Sequence, residues 1–159
     1  MASHLKSLSE YDANRIPDVA HQSFGIVVSD YNPDITYALL KACIECLLKH
    51  GCKESNIIVK HVPGAFELPL GAELLFQDQK LDAVICLGCI IKGGTRHDEY
   101  INHAIAQAIM KLNSKYKHPF IFGVLTPNTL AQAQDRAGGK HGNKGIEAAI
   151  AAIKMVHFK

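Results

Sequence analysis

The fold of this chain is decided by Val84–Leu112, which reads VICLGCIIKGGTRHDEYINHAIAQAIMKL. The run from Val84 to Ile91 is uncharged and rich in β-branched residues, which is typical of a strand buried on both faces of a parallel sheet. The run breaks at Lys92-Gly93-Gly94-Thr95, and apolar residues then recur at the spacing of one helix face. These residues are Ile101, Ala104, Ile105, Ala108, Ile109 and Leu112.

The glycine turn in this stretch is a candidate anion site. A strand that leads through glycines into a helix leaves backbone N–H groups pointing outward at the positive end of the helix dipole. His97 lies two residues beyond Thr95, within reach of any bound anion. The first functional hypothesis is therefore a phosphate beside a proton acceptor. A purely structural turn, which is common in α/β folds, is the alternative.

Length and composition narrow the class of protein. The chain has 159 residues, enough for one domain with a sizeable core, and is 48% hydrophobic and 20% charged. The net charge is only +2 and no block of Lys and Arg occurs, so neither nucleic acid nor an anionic membrane is an expected partner. No apolar run approaches the roughly 18 residues of a membrane helix. The first 22 residues lack the apolar core of a signal peptide, and we expect a cytoplasmic protein.

Five cysteines raise the question of metal binding or disulfides. Cys43 and Cys46 form a C-x-x-C inside a helical pattern, Cys52 follows a glycine turn, and Cys86 and Cys89 are predicted to face opposite sides of one strand. The number is odd and an intracellular protein rarely forms disulfides. We therefore interpret all five as small, buried, apolar side chains.

Strand and helix patterns alternate along the whole chain after residue 22. The predicted strands are Phe24–Val28, Asn56–His61, Val84–Ile91 and Phe120–Leu125. The predicted helices begin at Asn32-Pro33-Asp34, with Asn32 as the cap, after Val62-Pro63-Gly64, after Thr95, at Leu130 and at Gly142–Gly145. This order predicts a flavodoxin-like α/β sandwich of three layers, with a central four-stranded parallel sheet and helices on both faces. Residues 1–22 are predicted to form an N-terminal arm, and residues 23–159 a single domain.

Unusual residues follow the ends of several predicted strands. Ligands of open parallel sheets bind beyond the carboxyl ends of the strands, where Tyr31-Asn32, Pro63–Glu67, Gly93–His97 and Thr126 are expected. Two cations, Arg136 and Lys144, lie much later in a glycine-rich segment, and a neighbouring chain of an oligomer could supply them. An aromatic, a carboxylate, a histidine and cations suit proton transfer on a phosphorylated substrate.

A metal site is the alternative chemistry. Glu99 and His103 are four residues apart on one helix face, with His97 and Asp98 nearby. The set lacks an H-E-x-x-H or comparable ligand spacing, and such pairs usually lie on a solvated face. We therefore predict no metal.

Four motifs resemble one family over nearly the whole chain after the arm. They are VPGAFELP (62–69), GCIIKGGTRHDEY (88–100), FGVLT (122–126) and RAGGKHGNKG (136–145), which look like lumazine synthase, an enzyme of riboflavin biosynthesis. The resemblance implies a transferase without cofactor or metal that condenses 5-amino-6-(ribitylamino)uracil with 3,4-dihydroxy-2-butanone 4-phosphate. An imine forms, phosphate is eliminated, and ring closure with loss of water gives 6,7-dimethyl-8-ribityllumazine.

The resemblance also implies an assembly. Family members are pentamers with each active site between adjacent subunits, and some build a 60-subunit shell from twelve pentamers. Riboflavin synthase is a candidate partner. The uninterrupted segment Arg136–Gly145 favours a shell.

The family's site residues match this chain residue by residue. The resemblance implies that Tyr31 stacks on the pyrimidine and that His97 transfers protons. It implies further substrate contacts from Asn32, Gly64, Ala65, Phe66, Glu67, Cys89, Ile90 and Ile91, and a phosphate turn at Gly94 and Thr95. From the neighbouring subunit, Phe122 would cover the ring, Arg136 would bind phosphate and Lys144 would approach the pyrimidine.

Three positions depart from the family pattern. Asp98 stands where Phe or Tyr is usual, Cys89 where Ala or Thr is common, and Asp30 where Arg is frequent. Two other classes of function stay open at this point, namely a non-catalytic relative that binds lumazine or flavin, and a shell-forming scaffold. A degenerate relative should have lost His97 or Arg136, and this chain retains both.

Overall fold

A central parallel sheet organises the protein, whose computed structural model describes residues 7–158. Its strands are β1 (Phe24–Ser29), β2 (Ile57–Val62), β3 (Ala83–Cys89) and β4 (Phe120–Leu125). They lie in the order β2-β1-β3-β4, and all neighbours are parallel. The strand β2 thus lies on one side of β1, and the chain then crosses to the other side to form β3 and β4. The predicted four-stranded parallel sheet is confirmed.

Five α-helices surround the sheet within the described residues. They are α1 (Pro33–Lys49), α2 (Leu68–Asp78), α3 (His97–Tyr116), α4 (Leu130–Arg136) and α5 (Lys144–Val156). Helices α1 and α5 pack on one face, and α2 and α3 pack on the other. This arrangement confirms the flavodoxin-like three-layer fold. No helix in the described part of the chain combines the length and the apolar surface that a bilayer span requires.

Strand β3 is the centre of the core, with all seven residues buried. Ile85 and Leu87 point toward α1 and α5, whereas Val84 and Cys86 point toward α2 and α3. Because each fully buried aliphatic side chain contributes about 1.5–3 kcal/mol, this two-sided burial makes β3 a strong anchor of the sheet. The carboxyl end of β3 therefore provides a rigid base for the loop that follows it.

A close approach between backbones fixes α5 against α1. A Cβ atom added to Gly145 would lie 2.0 Å from the carbonyl oxygen of Leu39, so only glycine fits there. Asn143 precedes α5 and its Oδ1 accepts a hydrogen bond from the N–H of Gly145, while its Nδ2 donates to the carbonyl of Ala38. The start of α5 is thereby held in one position.

The structure corrects three details of the sequence analysis. Strand β3 ends at Cys89 rather than Ile91, because the chain leaves the ladder to form the loop at the sheet edge. Ala104 was expected on the inner face of α3, but it is exposed. A short antiparallel hairpin of β5 (Ala137–Gly139) and β6 (Gly142–Asn143) was not predicted, since its glycines give no alternating pattern.

Residues 7–22, predicted as part of an arm, lie against α1 and α5 of their own chain. The Ser9 hydroxyl donates to the carbonyl of Asn143 (2.9 Å), and the Tyr11 hydroxyl lies 3.1 Å from Nε2 of His50. Val19 is fully buried. The prediction for residues 1–6 lies outside the described residues.

Candidate active site

A cavity of about 500 Å³ opens at the carboxyl ends of β1, β2 and β3. We call it the edge cavity and define it by its lining, which comes from the end of β3, the segments that follow the three strands and the start of α3. The lining residues are Tyr31, Asn32, Gly64, Ala65, Phe66, Glu67, Cys89, Ile90, Ile91, Lys92, Gly93, Thr95, His97, Asp98 and Ile101. Eleven of the fifteen are residues that the sequence analysis named as substrate contacts, phosphate turn or proton donor.

The loop after β1 presents an aromatic face to the edge cavity. The side chain of Tyr31 is 72% exposed, although an aromatic of this size is usually buried. Asn32 adopts the left-handed conformation (φ 60°), and its Nδ2 donates to the carbonyl of Cys89 (3.0 Å). Asn32 occupies the N-cap position of α1 as predicted, but its side chain makes no capping hydrogen bond and instead ties the β1 loop to the β3 loop.

Asp30 braces the same loop from outside the cavity. One oxygen of its carboxylate, Oδ1, accepts a hydrogen bond from the hydroxyl of Tyr37 (2.8 Å) and lies 2.7 Å from Nδ1 of His61. The hydrogen bond to His61 is the main cause that lowers the pKa of Asp30, and the bond from Tyr37 adds to it. The backbone N–H of Tyr31 also donates to the carbonyl of Pro63. These contacts hold the ends of β1 and β2 together.

The loop after β2 supplies a carboxylate and a second aromatic ring. Residues Ala65–Glu67 form one turn of 3₁₀ helix, and Oε2 of Glu67 accepts a hydrogen bond from the backbone N–H of Gly64 (3.0 Å). This bond fixes the Glu67 side chain at the cavity wall. Phe66 is 60% exposed. The pair suits a ligand with both an apolar face and hydroxyl groups.

Cys89, Ile90 and Ile91 form the floor beyond β3. The backbone N–H of Ile90 donates to the carbonyl of Leu125 (2.8 Å), and the carbonyl of Cys89 accepts from Asn32. Within residues 7–158, the N–H of Ile91 has no such partner. The backbone of Ile91 is therefore the part of this floor that is best placed to bind a ligand.

The glycine turn is open on its outer side. A Cβ added to Gly93 or Gly94 would meet no described atom within 4 Å, and neither residue has a positive φ. Packing and backbone conformation therefore do not require glycine here, whereas the close approach of a ligand would. Thr95 follows, and its hydroxyl oxygen accepts from the backbone N–H of His97 (3.4 Å) at the start of α3. Gly94 itself does not line the edge cavity.

Arg136 and Lys144 lie elsewhere on the same chain, in a cleft of about 420 Å³ beside β4 that we call the cation cleft. Its lining is Val124, Leu125, Thr126, Pro127, Gln132, Asp135, Arg136, His141 and Lys144.

Glu147 joins the two cations of the cation cleft. Its Oε1 accepts from Nη2 of Arg136 (2.7 Å) and its Oε2 accepts from Nζ of Lys144 (3.2 Å). Nη1 of Arg136 donates to the carbonyl of His141.

The structure thus brings eleven of the predicted site residues into the edge cavity and leaves four outside its lining, namely Gly94 in the adjoining turn and three residues elsewhere on the chain. Arg136 and Lys144 are in the cation cleft, and Phe122 is a partly exposed residue of β4 that lines neither space. The sequence analysis named Lys92 and Gly93 only as part of the glycine turn and assigned no substrate contact to Asp98 or Ile101, although all four line the edge cavity. Helical spacing could have found Ile101, because it lies one turn beyond His97 on the same face of α3.

Metal and thiol chemistry have no visible basis in the described chain. No group of three or more His, Cys, Asp or Glu side chains there is arranged to hold a metal ion, and Glu99 pairs with Arg96 (3.0 Å). All five cysteines are free and buried, which confirms their interpretation as apolar side chains. Burial raises the pKa of Cys89, which lines the edge cavity, to about 11, so its thiol is protonated at neutral pH.

Comparison with known proteins agrees with this geometry. Residues 21–159 match the family model described as 6,7-dimethyl-8-ribityllumazine synthase. The chain is 51% identical to the protein of that name from Parabacteroides distasonis over 158 residues, which is 99% of both chains. It is 52% identical to that of Cytophaga hutchinsonii over 156 residues (98% of both) and 48% identical to that of Phocaeicola vulgatus over 159 residues (100% of this chain, 95% of the relative). The chain therefore belongs to the 6,7-dimethyl-8-ribityllumazine synthase family.

Proposed function

We propose that this protein condenses 5-amino-6-(ribitylamino)uracil with 3,4-dihydroxy-2-butanone 4-phosphate to give 6,7-dimethyl-8-ribityllumazine, phosphate and water. One observation carries the proposal beyond family membership. An exposed aromatic ring, a fixed carboxylate, an open glycine turn and an imidazole all line one cavity at the carboxyl edge of the sheet. These are the groups that a heterocycle with a polyol chain and a phosphorylated partner require.

The heterocyclic substrate occupies the part of the edge cavity nearest β1 and β2. Tyr31 stacks on the pyrimidine ring, and the backbone of Ile91 hydrogen-bonds its polar edge. The ribityl chain extends along Ala65–Glu67, where the carboxylate of Glu67 accepts hydrogen bonds from hydroxyl groups. The supporting observations are the 72% exposure of Tyr31 and the fixed position of Glu67.

The phosphorylated substrate occupies the glycine turn. Gly94 and Thr95 present the backbone to the phosphate, and the first turn of α3 adds the positive end of its dipole. His97 stands at the first position of that helix, next to the carbonyl that the substrate amine attacks. It donates a proton to the departing hydroxyl during imine formation and takes one up in the elimination of phosphate.

A neighbouring subunit completes the site with Phe122, Arg136 and Lys144. The guanidinium of Arg136 offers a planar set of donors to phosphate, which becomes the leaving group as negative charge builds on it. Holding both substrates together in this way contributes roughly 7–11 kcal/mol of barrier reduction. The separation of the edge cavity from the cation cleft within one chain supports an arrangement across two chains.

Exposed apolar residues on α2 and α3 support the association of subunits. Leu70 and Leu74 are 61% and 53% exposed and lie one turn apart on α2, and Met110 on α3 is 65% exposed. Apolar surface of this kind favours burial in an interface. We infer a pentamer, and a shell of twelve pentamers in which riboflavin synthase is the candidate partner. Because its substrates are small polar metabolites, we place the enzyme in the cytoplasm.

Light scattering tests the assembly. A shell of 60 subunits gives a mass twelve times that of a pentamer, and the short hairpin between α4 and α5, which contains no insertion, favours the shell. Pentamers alone at near-neutral pH would contradict shell formation but leave the shared active site intact. A monomer with full activity would contradict the shared site itself.

The catalytic proposal is tested by mixing the purified protein with both substrates. The expected result is the appearance of lumazine fluorescence together with one phosphate released per lumazine formed. The same mixture without protein is the control for uncatalysed condensation. Failure of the wild-type protein to exceed that control would refute the proposed activity.

A further inference from the structure

Asp98 is a polar residue of the edge cavity to which the sequence analysis gave no role. It lies at the second position of α3, next to His97, and lines the cavity together with Ile101. Its Oδ1 is buried, and no residue between 7 and 158 donates a hydrogen bond to it. A buried carboxylate oxygen without a donor costs free energy, so its position in a cavity wall points to a donor on the ligand.

Within a single chain, no described residue between 7 and 158 supplies the donor that Asp98 lacks. Asn102 follows one turn later on α3, but its Oδ1 is also buried and unpaired among the described residues, and no bond joins the two side chains. Asn102 does not line the edge cavity. The next residue, Glu99, accepts a hydrogen bond from Arg96 and is not part of the lining either. Asp98 is thus the one acidic residue of this turn that faces the cavity.

The surroundings of Asp98 indicate the kind of donor. Helix α3 packs against the 3₁₀ turn Ala65–Glu67, and Asp98 lines the same cavity as that turn. Glu67 is the other carboxylate of the lining, and its Oε2 is already bonded to the N–H of Gly64. Two carboxylates in the lining of one cavity match a ligand with several neutral O–H donors, because each carboxylate oxygen can accept a hydrogen bond from a hydroxyl group.

We propose that Asp98 binds the polyol chain of the substrate together with Glu67 and so determines specificity for a hydroxylated side chain. This inference rests on the proposed function, since it concerns the ligand that occupies the same cavity. A charged acceptor forms a stronger hydrogen bond with a hydroxyl group than a neutral acceptor does. Loss of one such bond reduces the affinity for the ligand about tenfold.

Two unreactive probes test this role. They are 6-(ribitylamino)uracil, which lacks the 5-amino group, and 6-(ethylamino)uracil, which lacks the hydroxyl groups as well. Calorimetry measures both dissociation constants for the wild-type protein and for Asp98→Ala, Asp98→Asn and Glu99→Gln. We expect Asp98→Ala to raise the dissociation constant of the ribityl probe about tenfold and that of the ethyl probe less than twofold.

The two other variants separate binding from structure. Asp98→Asn keeps an acceptor without the charge, and we expect a loss of about threefold for the ribityl probe alone. Glu99→Gln, a neighbour outside the lining, should change neither constant. A purely structural role of Asp98 at the start of α3 would weaken both probes equally, and that result overturns the proposal.

The outcome also distinguishes this inference from the proposed function. If the wild-type protein prefers the ribityl probe and Asp98→Ala keeps that preference, the role of Asp98 is refuted while the proposed function stands. If the wild-type protein binds the two probes equally, no polyol site exists, and both the assignment of Glu67 and that of Asp98 are refuted.

Discussion

The edge cavity and the cation cleft are organised in opposite ways. In the edge cavity, several lining groups are open to solvent, as the exposed ring of Tyr31 and the open glycine turn show. In the cation cleft, the side chains of Arg136 and Lys144 are only 19% and 28% exposed, and both are paired with Glu147. One region is shaped by loops and left open, whereas the other is fixed in advance by ion pairs. Substitutions in the first should affect ligands alone, and those in the second should also affect stability.

The largest effect that this comparison predicts comes from the edge cavity. His97→Ala should lower kcat at least about 100-fold, because a positioned general acid or base contributes roughly 10²–10⁴. The KM values for both substrates should change less than threefold, and the melting temperature should not change. Steady-state kinetics and calorimetry measure these quantities. The control is His103→Ala, an exposed histidine on the same helix outside the lining; an equal loss there would refute the role of His97.

Arg136→Ala is the corresponding substitution in the cation cleft. It should weaken the phosphorylated substrate about 30-fold, because a bidentate contact between guanidinium and phosphate is lost. Binding of the ribityl pyrimidine should stay within threefold of wild type. Calorimetry with each ligand measures the difference. Equal losses for both ligands would show that Arg136 supports the fold of the cleft rather than phosphate binding.

Gly94 and Gly123 allow an open position and a tightly packed position to be compared. Gly94→Ala should preserve the melting temperature but weaken the phosphorylated substrate about tenfold, because a methyl group would occupy the approach to the turn. Gly123→Ala should do the reverse, since its Cβ would lie 2.6 Å from Cδ2 of Leu87 and 2.8 Å from the carbonyl of Cys86. We expect a destabilisation of about 1–3 kcal/mol there. Thermal unfolding and phosphate-ester binding, measured on both variants, decide whether the contrast holds.

Glu147→Gln tests whether ion pairs hold Arg136 and Lys144 in position before a substrate binds. Removing the shared carboxylate should release Arg136 and Lys144, raise KM for the phosphorylated substrate about fivefold and cost about 1 kcal/mol of stability, or roughly 2–4 °C. The matched control is Glu45→Gln, because the pair of Glu45 with Lys41 is 4.0 Å long and largely exposed. A Glu147→Gln protein with unchanged KM would mean that Arg136 does not depend on its partner.

The smallest effect concerns His50, which anchors the arm far from both regions. Burial is the main cause that lowers its pKa, with a further contribution from Lys49. The unfolded chain therefore binds more protons, and stability should fall as the pH drops below about 6.5. His50→Gln should show a smaller drop in melting temperature between pH 7.5 and 5.5 than the wild type. The exposed His103→Gln serves as control and should follow the wild type.

The sequence predicted regular elements well where packing alone determines them. The bounds of β4 and the first residue of α4 agree with the prediction, and Cys86 and Cys89 face opposite sides of β3 as expected. Hydrophobic periodicity indicates which side of a helix or strand contacts the core. It therefore predicts these packed segments most accurately. Ala104 is exposed because an apolar stripe can also mark surface that a single chain leaves uncovered.

Residues at the sheet edge were harder to predict because their positions depend on contacts between loops. Asparagine is a residue type that often caps helices with its side chain, yet the side chain of Asn32 donates to the carbonyl of Cys89 at the end of the neighbouring strand. Asp98 carries no periodic signal, and only its orientation on α3 places it in the cavity wall. The link between Arg136 and Glu147 likewise spans eleven residues and a hairpin that sequence patterns do not indicate. Long-range contacts of this kind follow from the fold rather than from local sequence.

The close approach of Gly145 to Leu39 has an evolutionary consequence. The contact is made with the carbonyl of Leu39 and not with its side chain, so substitutions at position 39 can change the packing beneath α1 without moving the first turn of α5. Lys144 and Glu147 sit on that turn. Descendants of this chain can therefore vary the buried side chains of α1 while the positions of Lys144 and Glu147 on α5 are inherited unchanged. Any side chain larger than hydrogen at position 145 would end that independence.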